Sequence, residues 1–554
     1  MAGSYQYPKF EYEPPPELAV PSCAGRLWPV AIVGAGLCGP TLALDLARRG
    51  IDVVVLDEDD TVSFGSRSVC QAKRSLEIFD RLGVAAPIIA KGITWDTGHI
   101  FFGSEKVYSF NLAPERHFKM PPFINLQQYY VEQFLIEGCQ RSERIDLRFR
   151  NKVTGLRQGN DHVALQVETP DGEYELRAQY VVACDGVRSP IRQMLGLPFK
   201  GEVFNDQFLI ADIRTRTDLP AERHFWFDPP FHRGWSVLVH RQADDVMRVD
   251  WQLGRDLDPA EETQPQRIDQ RLKAMFGSDL DYDLEWASMY TFTCRSMERY
   301  VHGRVIFAGD SAHVVSPFGA RGGNSAVQDA DNLGWKLALV LEGVAGSGLL
   351  ETYHRERHAA AQENIRQSTR STDFITPKFA ASRMFRDGAL ALARDFPFAR
   401  TMVNSGRLST ASQYLAQSSV GDSEWSSSVG VGAAAPDGML DGALWLGDLF
   451  GDWFAVLAFV DKASDLLAMP FFGACRVKIG SHAICALGVA RDHDSAVPGW
   501  TLVRDSPGVV TQRYDGRPGT VWLVRPDRHL AARWRHASTG DIENALAHFT
   551  RGAP

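Results

Sequence analysis

The chain has 554 residues, 44% of them hydrophobic and 23% charged, which is typical of a globular protein with two or three domains. Its formal net charge of −9 argues against nucleic acid or an anionic membrane as a partner, because both favour basic surfaces. The two most apolar stretches contain charged residues, Lys336 and Glu342 in one and Asp448 and Asp452 in the other, so neither predicts a membrane span. Since the first residues lack a signal-peptide pattern, we expect a cytoplasmic protein.

Eight cysteines are scattered along the chain, at positions 23, 38, 70, 139, 184, 294, 475 and 485. None lies in a Cys-x-x-Cys pair, and none has the spacing of a zinc ligand. This pattern predicts reduced, buried thiols in a reducing compartment. We therefore expect neither a dithiol redox site nor a metal site.

The N-terminal part of the chain predicts a strand, a turn, a helix and a second strand. The two predicted strands are the apolar runs Pro29–Val33 and Ile51–Leu56, and the helix formers Thr41–Arg49 lie between them. Such a unit starts a parallel, doubly wound sheet with α/β architecture. The proline-rich residues 1–28 before it predict an extended arm.

Later segments alternate between strand-like and helical patterns. Strands are predicted at about 145–184, across the aromatic-rich residues 204–292, and at Val305–Ala308. One long helical stretch is predicted at 324–369, and further helices and a linker at 370–425. The Ser- and Gly-rich residues Ser418–Gly432 indicate a domain boundary, after which strands and helices resume.

The turn between the first two strands contains the pattern G-x-G-x-x-G, at Gly34, Gly36 and Gly39. Gly34 allows a tight turn, Gly36 lets backbone amides approach a pyrophosphate, and Gly39 lets helix and strand pack closely. The helix N-terminus adds amide donors and a positive dipole end. Asp57 ends the second strand and is placed to accept hydrogen bonds from ribose hydroxyls. Without a second such pattern, one dinucleotide-binding domain is expected.

Two further motifs follow in order along the chain. Residues Asp185–Arg192 contain D-G-x-x-S-x-x-R, and Gly309–His313 place a Gly-Asp pair at the end of a buried strand. Together with the glycine turn they resemble the single-component FAD-dependent aromatic hydroxylases of the p-hydroxybenzoate hydroxylase fold. The resemblance implies a Rossmann-like FAD-binding domain interleaved with a β-sheet substrate domain.

The resemblance also implies roles for particular residues. Asp310 would bind the ribityl chain of FAD, Arg67 would lie near the pyrophosphate, and Gln128 would contact the ribityl region. Asp185 and Arg192 match the family motif that is tied to both FAD and NAD(P)H binding, although a structural Asp–Arg pair is the alternative. His313 is expected to pack and to hold its loop rather than to act as a base.

The loop Pro317–Asn324 resembles the family loop that passes the isoalloxazine ring. Its glycines would let the backbone lie against a flat ring. The backbone amides of Gly322, Gly323 and Asn324, at the start of a helix, would stabilise negative charge on the reduced flavin.

The C-terminal residues 436–460 and Val521–Asp527 resemble the thioredoxin-like tail of larger family members, such as phenol hydroxylase and 3-(3-hydroxyphenyl)propionate hydroxylase. Lacking Cys-x-x-Cys, this tail is expected to be redox-silent and to serve in structure or dimer contact. The predicted domains are an arm (1–28), an FAD-binding domain (29–200 and 301–370), a substrate sheet (201–300), a helical linker (371–425) and a thioredoxin-like domain (426–554).

The resemblance predicts a monooxygenase that uses NADH or NADPH and O2 to hydroxylate a phenolic ring through a flavin C4a-hydroperoxide. The partners would be an aromatic substrate and a second copy of the chain in a homodimer. The substrate sheet should line the pocket, so its aromatic and basic residues are the candidates for catalysis, with no base singled out. The candidates are Trp226, Trp235, His240, Arg248 and Arg295, with Phe225 and Phe227 as further lining residues.

Three alternatives remain open at this stage. A Baeyer–Villiger or epoxidising monooxygenase would use the same scaffold. A flavin-dependent halogenase is disfavoured, because the W-x-W-x-I-P motif is absent. A non-catalytic FAD-binding protein would carry the same motifs, because flavin motifs do not determine the substrate.

Overall fold

The computed structural model describes residues 5–19, 25–112, 117–215, 220–404, 408–414, 425–426, 429–469, 478–479 and 482–550. Its helices are α1 Pro16–Ala19, α2 Cys38–Arg48, α3 Lys73–Arg81, α4 Ala85–Lys91, α5 Gln128–Gln140, α6 Pro190–Met194, α7 Pro259–Glu262, α8 Pro265–Phe276, α9 Gly322–Leu341, α10 Gly348–Ile375, α11 Ala380–Asp395, α12 Pro397–Arg400, α13 Leu446–Leu449, α14 Asp465–Ala468, α15 Val509–Arg513 and α16 Thr539–Thr550.

The strands are β1 Leu27–Val33, β2 Val53–Leu56, β3 Cys70–Ala72, β4 Ile93–Trp95, β5 Thr97–Phe102, β6 Glu105–Asn111, β7 Phe123–Asn125, β8 Ile145–Arg148, β9 Lys152–Gln158, β10 Val163–Thr169, β11 Gly172–Ala183, β12 Lys200–Thr215, β13 Arg223–Phe227, β14 Ser236–Arg241, β15 Val246–Gln252, β16 Tyr282–Ser296, β17 Val301–His302, β18 Val305–Phe307, β19 His313–Val314, β20 Ala455–Lys462, β21 Lys478–Ile479, β22 His482–Ala483, β23 Cys485–Asp492, β24 Thr501–Val503, β25 Val521–Val524 and β26 Leu530–Trp534. Among the described helices, none is both long and apolar enough to cross a membrane.

The first sheet confirms the predicted doubly wound architecture. Its order is β17-β18-β11-β1-β2-β8, and β9 and β10 extend it through β11. Strand β1 lies between β2 and β11 and is parallel to both, and β18 is parallel to β11. Because parallel strands end at one edge of the sheet, this order brings the ends of β1, β11 and β18 together.

The second sheet has the order β19-β16-β12-β15-β14-β13-β5-β6. This sheet also includes β5 and β6, which come from within the segment assigned to the FAD-binding domain. The prediction that 204–292 is strand-like throughout is wrong. Helices α7 and α8 interrupt it, and Trp235 lies in the turn before β14 rather than in the strand.

The two faces of the second sheet differ in character. One face packs on α8 through a core that includes Leu209, Val249 and Trp251 with Ile268 and Leu272. The opposite face carries buried polar side chains beside a phenylalanine cluster that includes Phe318. Because side chains alternate along a strand, neighbouring residues of one strand serve these two surfaces.

Several helix boundaries differ from the prediction. The single helix expected at 324–369 is two helices, α9 and α10, because Gly343 adopts a left-handed φ of 69° after α9. The arm is not extended throughout: Pro16 begins the short helix α1, since proline is tolerated in a first helical turn.

Most of the expected boundary Ser418–Gly432 lies outside the described residues, as do Cys23 and Cys475. The other six cysteines are free and at least half-buried.

The C-terminal domain is built on a mixed sheet of order β24-β23-β20-β25-β26, in which β20 is parallel to β23 and antiparallel to β25. It shares a hydrophobic core with the first domain, where Trp335 and Leu339 of α9 contact Phe454 and other residues of this domain. The thioredoxin-like assignment and the domain limits stay predictions.

A buried ion pair links the same two regions. Arg525, just after β25, donates to both oxygens of Glu356 on α10, at 2.6 and 2.9 Å. Asp527 accepts from the same guanidinium at 2.6 and 3.0 Å, and Lys336 donates to Glu356 at 2.6 Å. The Val521–Asp527 segment therefore anchors the C-terminal domain to α9 and α10.

Replacing Arg525 by methionine is expected to cost about 3–5 kcal/mol of stability, because it leaves two buried carboxylates short of a cation. The matched control is Arg491→Met, which removes an exposed pair with Asp461 at 3.3 Å and should cost less than about 1 kcal/mol. Urea unfolding of the FAD-loaded protein measures both. Equal midpoints for the two variants would contradict the anchoring role.

Candidate active site

The glycine turn after β1 is shaped by close backbone approach. Gly34 has a φ of 107°, and a Cβ there would collide with the carbonyl of Cys184 at the end of β11. A Cβ on Gly39 would collide with the carbonyl of Gly34. At Gly36, by contrast, an added Cβ meets only Glu132 Oε1, at 3.7 Å. The protein itself therefore requires glycine at 34 and 39, whereas Gly36 keeps open space in front of α2.

Three aspartates follow strands of the first sheet at this edge. Asp57, after β2, accepts from the amides of Ala35 at 2.5 Å and Asp59 at 2.9 Å, and burial raises its pKa to about 6. Asp185, after β11, accepts from Ser189 Oγ at 2.8 Å through one oxygen. Its other oxygen is buried and has no partner among the described residues.

Asp310 follows β18 and accepts no hydrogen bond from a described residue. The edge of the first sheet where β1, β2, β11 and β18 end is called the groove below. The Asp310 side chain is exposed there, although protein atoms surround it closely enough to displace much of its water. Desolvation by this burial raises the pKa of Asp310, while His313 and Arg67 act in the opposite direction. A carboxylate in this position can accept hydrogen bonds from a polyol chain.

The loop before β3 carries Arg67 over the same groove. Gln128 accepts from the Ser68 amide at 2.9 Å and donates to Glu132 at 2.7 Å. Buried Glu132 also accepts from the amide of Ser63 at 2.8 Å and from its hydroxyl at 3.0 Å. Gln128 thus holds the loop that presents Arg67, which is exposed and favours the charged forms of Asp310 and Glu132.

Helix α9 starts at Gly322, at the end of the loop Pro317–Asn324. Gly323 packs against the side chain of Ser68, where a Cβ would collide. The Asn324 side chain donates to the carbonyls of Cys70 and Ala320, at 2.8 and 2.6 Å. It also accepts from the Ala72 amide at 2.8 Å. These bonds fix the helix start, so its first amides remain available to a ligand.

His313 serves the structural role expected for it. Its Nε2 lies 2.6 Å from Oδ2 of Asp329 on α9, which also accepts from the Gly309 amide at 2.9 Å. Arg357 of α10 donates to the other oxygen of Asp329 at 2.6 Å. All of these side chains are buried, and together they position the loop that carries Asp310.

Arg192 and Asp185 do not form the direct pair that was considered as an alternative. Arg192 donates to the carbonyls of Ser311 at 2.8 Å and Val187 at 2.6 Å, and so ties the D-G and G-D loops together. Burial lowers the pKa of Arg192, and the nearby positive charge of Arg295, on β16, lowers it further. Arg295 therefore lies near the predicted NAD(P)H segment, and its catalytic role stays a prediction.

The groove fits FAD at each point where the motifs meet. The space before Gly36 and the amides of α2 suit a pyrophosphate, and the acceptors Asp57 and Asp310 suit hydroxyl groups. The unpartnered oxygen of Asp185 leaves an acceptor for a ligand donor. FAD bound here supplies the redox and oxygen chemistry that side chains lack.

The polar face of the second sheet turns towards β3, next to this groove. A row of directly paired residues crosses four strands: Arg223, His240, Arg248 and Asp212. Arg248 and Asp212 form a buried bidentate pair, with distances of 2.8 and 2.7 Å. Burial raises the pKa of the Cys70 thiol on β3, and the nearby positive charges of Arg223 and Arg248 act in the opposite direction. The row therefore lies beside β3, the strand held by Asn324.

Two members of this face have buried polar atoms without hydrogen-bond partners among the described residues. Both ring nitrogens of His240 lack a hydrogen bond, and so does Oδ1 of Asp250, two residues after Arg248. Burial, together with Arg223 and Arg248, holds the pKa of His240 well below its usual range. Burial raises the pKa of Asp250 to about 7. Orphaned buried polar groups of this kind indicate a missing ligand.

The structure removes Trp226 from the polar face, whereas the role of Trp235 stays a prediction. Trp226 points to the opposite face of the sheet, where its ring stacks on that of Phe101 at 4.9 Å and lines an outer cavity of about 370 Å³. Trp235 lies in the turn before β14. Phe225 and Phe227 do lie on the same face as His240, but deep in the phenylalanine cluster. Successive side chains of a strand point to opposite faces of the sheet, so Trp226 lies on one face and its neighbours Phe225 and Phe227 on the other.

Residues 28–368 match the family model for an FAD binding domain, and residues 441–549 match the HcaD C-terminal domain. The chain is 30% identical over 540 residues to 3-(3-hydroxy-phenyl)propionate/3-hydroxycinnamic acid hydroxylase 2 of Burkholderia vietnamiensis, covering 94% of this chain and 96% of that protein. The chain belongs to the FAD-dependent aromatic hydroxylases. It is accordingly a flavoprotein monooxygenase that binds FAD and uses NAD(P)H as co-substrate.

Two further relatives support this assignment. A flavin-dependent monooxygenase of Mycobacteroides abscessus is 29% identical, covering 90% of this chain and 99% of that protein. The crystal structure of aklavinone-11 hydroxylase with FAD and aklavinone superposes with a TM-score of 0.73 and 25% identity, over 94% of this chain and 98% of that one. The family and the fold thus extend over nearly the whole chain.

Sequence reasoning missed several residues that build the site. These residues are Glu132, Asp329, Arg223 and Asp250, and none of them is singled out by the sequence motifs. A signal existed in each case, because a charged residue inside a buried apolar pattern rarely lacks a partner. The identity of that partner depends on strands that are distant in the chain.

Replacing Gly36 by valine should weaken FAD binding at least about tenfold, or 1.4 kcal/mol, because the added atoms fill the space before α2. The fold should survive, since no protein atom lies within 3.4 Å of an added Cβ. Gly388→Val is the control, because Gly388 is an exposed position of α11 with open space around an added Cβ. Apoprotein titration with FAD, followed by flavin fluorescence, measures both. Unchanged affinity in Gly36→Val would place the pyrophosphate elsewhere.

Proposed function

We propose that the enzyme hydroxylates a phenol that also carries an acidic group, bound between the FAD groove and the polar face of the second sheet. The main support is that both ring nitrogens of His240 and one oxygen of Asp250, Oδ1, are buried without hydrogen-bond partners among the described residues, near the buried Arg223. Burying such groups costs free energy unless a ligand completes their hydrogen bonds. A phenol with an anionic substituent offers both a donor and acceptors.

Asp250 is the proposed base for the phenol proton. A carboxyl group with a pKa of about 7 is half ionised at neutral pH, where general-base catalysis is most effective. Removal of the phenol proton makes the ring more electron-rich and therefore more reactive towards an electrophilic oxygen. His240 would stay neutral and orient the phenol oxygen through one ring nitrogen.

Arg223 is the proposed partner for the acidic group of the substrate. Its guanidinium is buried, and it pairs with no carboxylate among the described residues, unlike Arg248, which is engaged by Asp212. Burial lowers the pKa of Arg223, so an anion at this point would relieve the cost of the buried charge. Arginine binds carboxylates with well-defined geometry.

The phenylalanine cluster would complete the pocket by excluding water. Phe208 and Phe292 contact Phe318, with ring centroids 5.2 and 5.3 Å apart. Phe318 belongs to the loop that leads into α9, so the apolar wall adjoins the proposed flavin ring. A dry pocket limits wasteful release of hydrogen peroxide.

The named relatives support this substrate class, because the Burkholderia enzyme carries the name of a phenolic acid hydroxylase. We further propose that O2 is the oxidant, that the D-G segment with Asp185 and Arg192 binds NAD(P)H, that the protein is cytoplasmic and that it forms a homodimer. A Baeyer–Villiger or epoxidising reaction requires neither Asp250 nor an acidic substrate.

NAD(P)H oxidation by the FAD-loaded enzyme should be stimulated more by phenolic acids than by matched neutral phenols, and the product should gain one oxygen on its ring. The anionic group meeting Arg223 is the reason for the preference. Stopped assays with product masses, on a panel that includes aromatic ketones, measure both properties. Oxygen inserted into a ketone would indicate the Baeyer–Villiger alternative, and absence of any stimulation a binding role.

Replacing Asp250 by asparagine should lower kcat/KM for the hydroxylated product by roughly 100-fold, as expected for loss of a general base. A base acts in its ionised form, so wild-type kcat/KM should rise with pH through about 7, and this rise should disappear in the variant. Exposed Asp281→Asn serves as control. A variant that keeps the wild-type pH profile would exclude Asp250 as the base.

A further inference from the structure

We propose that His99, Glu222 and His224 form a binding site for one divalent first-row transition metal, with Zn²⁺ as the probe ion. The site lies on the face of the second sheet that turns away from the FAD groove. His99 Nε2 is 2.9 Å and His224 Nε2 is 3.7 Å from the same oxygen of Glu222. One ligand atom from each of the three residues lies within 4.8 Å of the others.

The strand pairing produces this arrangement. Strands β5 and β13 are parallel, and His99 is the direct register partner of His224. Glu222 precedes β13 and is two residues before His224, so it reaches the same side of the sheet. The ring centroids of the two histidines are 5.1 Å apart. The three ligands thus converge although 123 residues separate His99 from Glu222.

Neighbouring groups hold the ligands in place. His99 Nδ1 lies 2.7 Å from Ser109 Oγ. When Nδ1–H donates to this hydroxyl, the lone pair of Nε2 faces Glu222, as in metal sites where an outer partner orients the ligand ring. The ring of His224 packs beside those of Phe101 and Trp226, with centroids 5.9 and 5.5 Å away. This packing restricts the rotation of His224.

Two imidazoles and one carboxylate favour zinc and similar transition metals over Mg²⁺ and Ca²⁺, which prefer oxygen ligands. Zinc lies about 2.0–2.2 Å from nitrogen and oxygen ligands, so small side-chain shifts would close the present spacing around an ion. The positive charge of Lys106 on β6 lies near His224, and the negative charge of Glu222 opposes it there.

Three protein ligands leave a tetrahedral ion with one open position. Glu222 and His224 also line the outer cavity of about 370 Å³, together with Phe101, Trp226 and Phe231. The open position therefore faces a largely apolar cavity that could admit water or a small donor ligand. Bound metal would also cross-link β5 to β13, which come from separate parts of the chain.

The test uses tag-free, FAD-loaded protein that has been treated with a chelator and dialysed. Calorimetric titration with ZnCl2 should show one bound equivalent, and MgCl2 should show none. Zinc should also raise Tm of the wild type. In His224→Gln, zinc affinity should fall by at least about 10–100-fold, because mutation of a residue that merely supports a metal ligand already has an effect of this size. The rise in Tm should disappear as well. The flavin spectrum reports that the fold is retained.

Glu222→Gln is a second variant with the same expected loss, and it keeps the residue shape if His224→Gln fails to fold. The matched control is His162→Gln, because His162 also lies 2.8 Å from a carboxylate, that of Asp161, without a third ligand. Zinc binding that is absent in wild type, or equal in wild type and both site variants, overturns the proposal. No substrate is used, so this result is independent of the proposed reaction.

Discussion

The buried carboxylate of Asp329 is the contact on which the cofactor side of the molecule depends. It accepts from Gly309, His313 and Arg357, and so joins the end of the first sheet to α9 and α10. Burial would raise its pKa, but its interactions with His313 and Arg357 outweigh that penalty and lower its pKa to about 2. The carboxylate therefore contributes stability fully above its unfolded pKa, about 4, and loses that contribution as pH falls towards 2.

Helix α9, which carries Asp329, also connects the groove to other parts of the chain. Its first turn faces the proposed flavin loop, and its later residues Asp331, Asn332 and Lys336 are buried against other segments. Asp331 pairs with Arg74 and Arg81 of α3. Both of those arginines also donate to backbone carbonyls of the Pro526–Asp527 segment. Helix α9 thus links the groove to the C-terminal domain through buried charge pairs. Loss of one partner of such a pair strongly lowers the free energy of unfolding.

The second sheet supports two proposed sites through the alternation of its side chains. In β13, Arg223, Phe225 and Phe227 face the groove, whereas His224 and Trp226 face the outer cavity. The same backbone hydrogen bonds hold both surfaces, but the sheet itself separates them. A substrate on one face and a metal ion on the other would therefore act as distinct ligands.

Features that depend on local spacing follow from the amino-acid sequence alone. Gly34 and Gly39, the turn into α2 and the order of the three motifs predicted the FAD-binding fold, because each needs only short-range backbone geometry. The sequence also identified His240 and Arg248 as candidates and His313 as a packing residue. Contacts between distant segments were needed to show that β5 and β6 join the second sheet and that Trp226 faces outward. The tertiary structure alone brought His99 to Glu222, since contacts between distant strands depend on register, which local pattern does not specify.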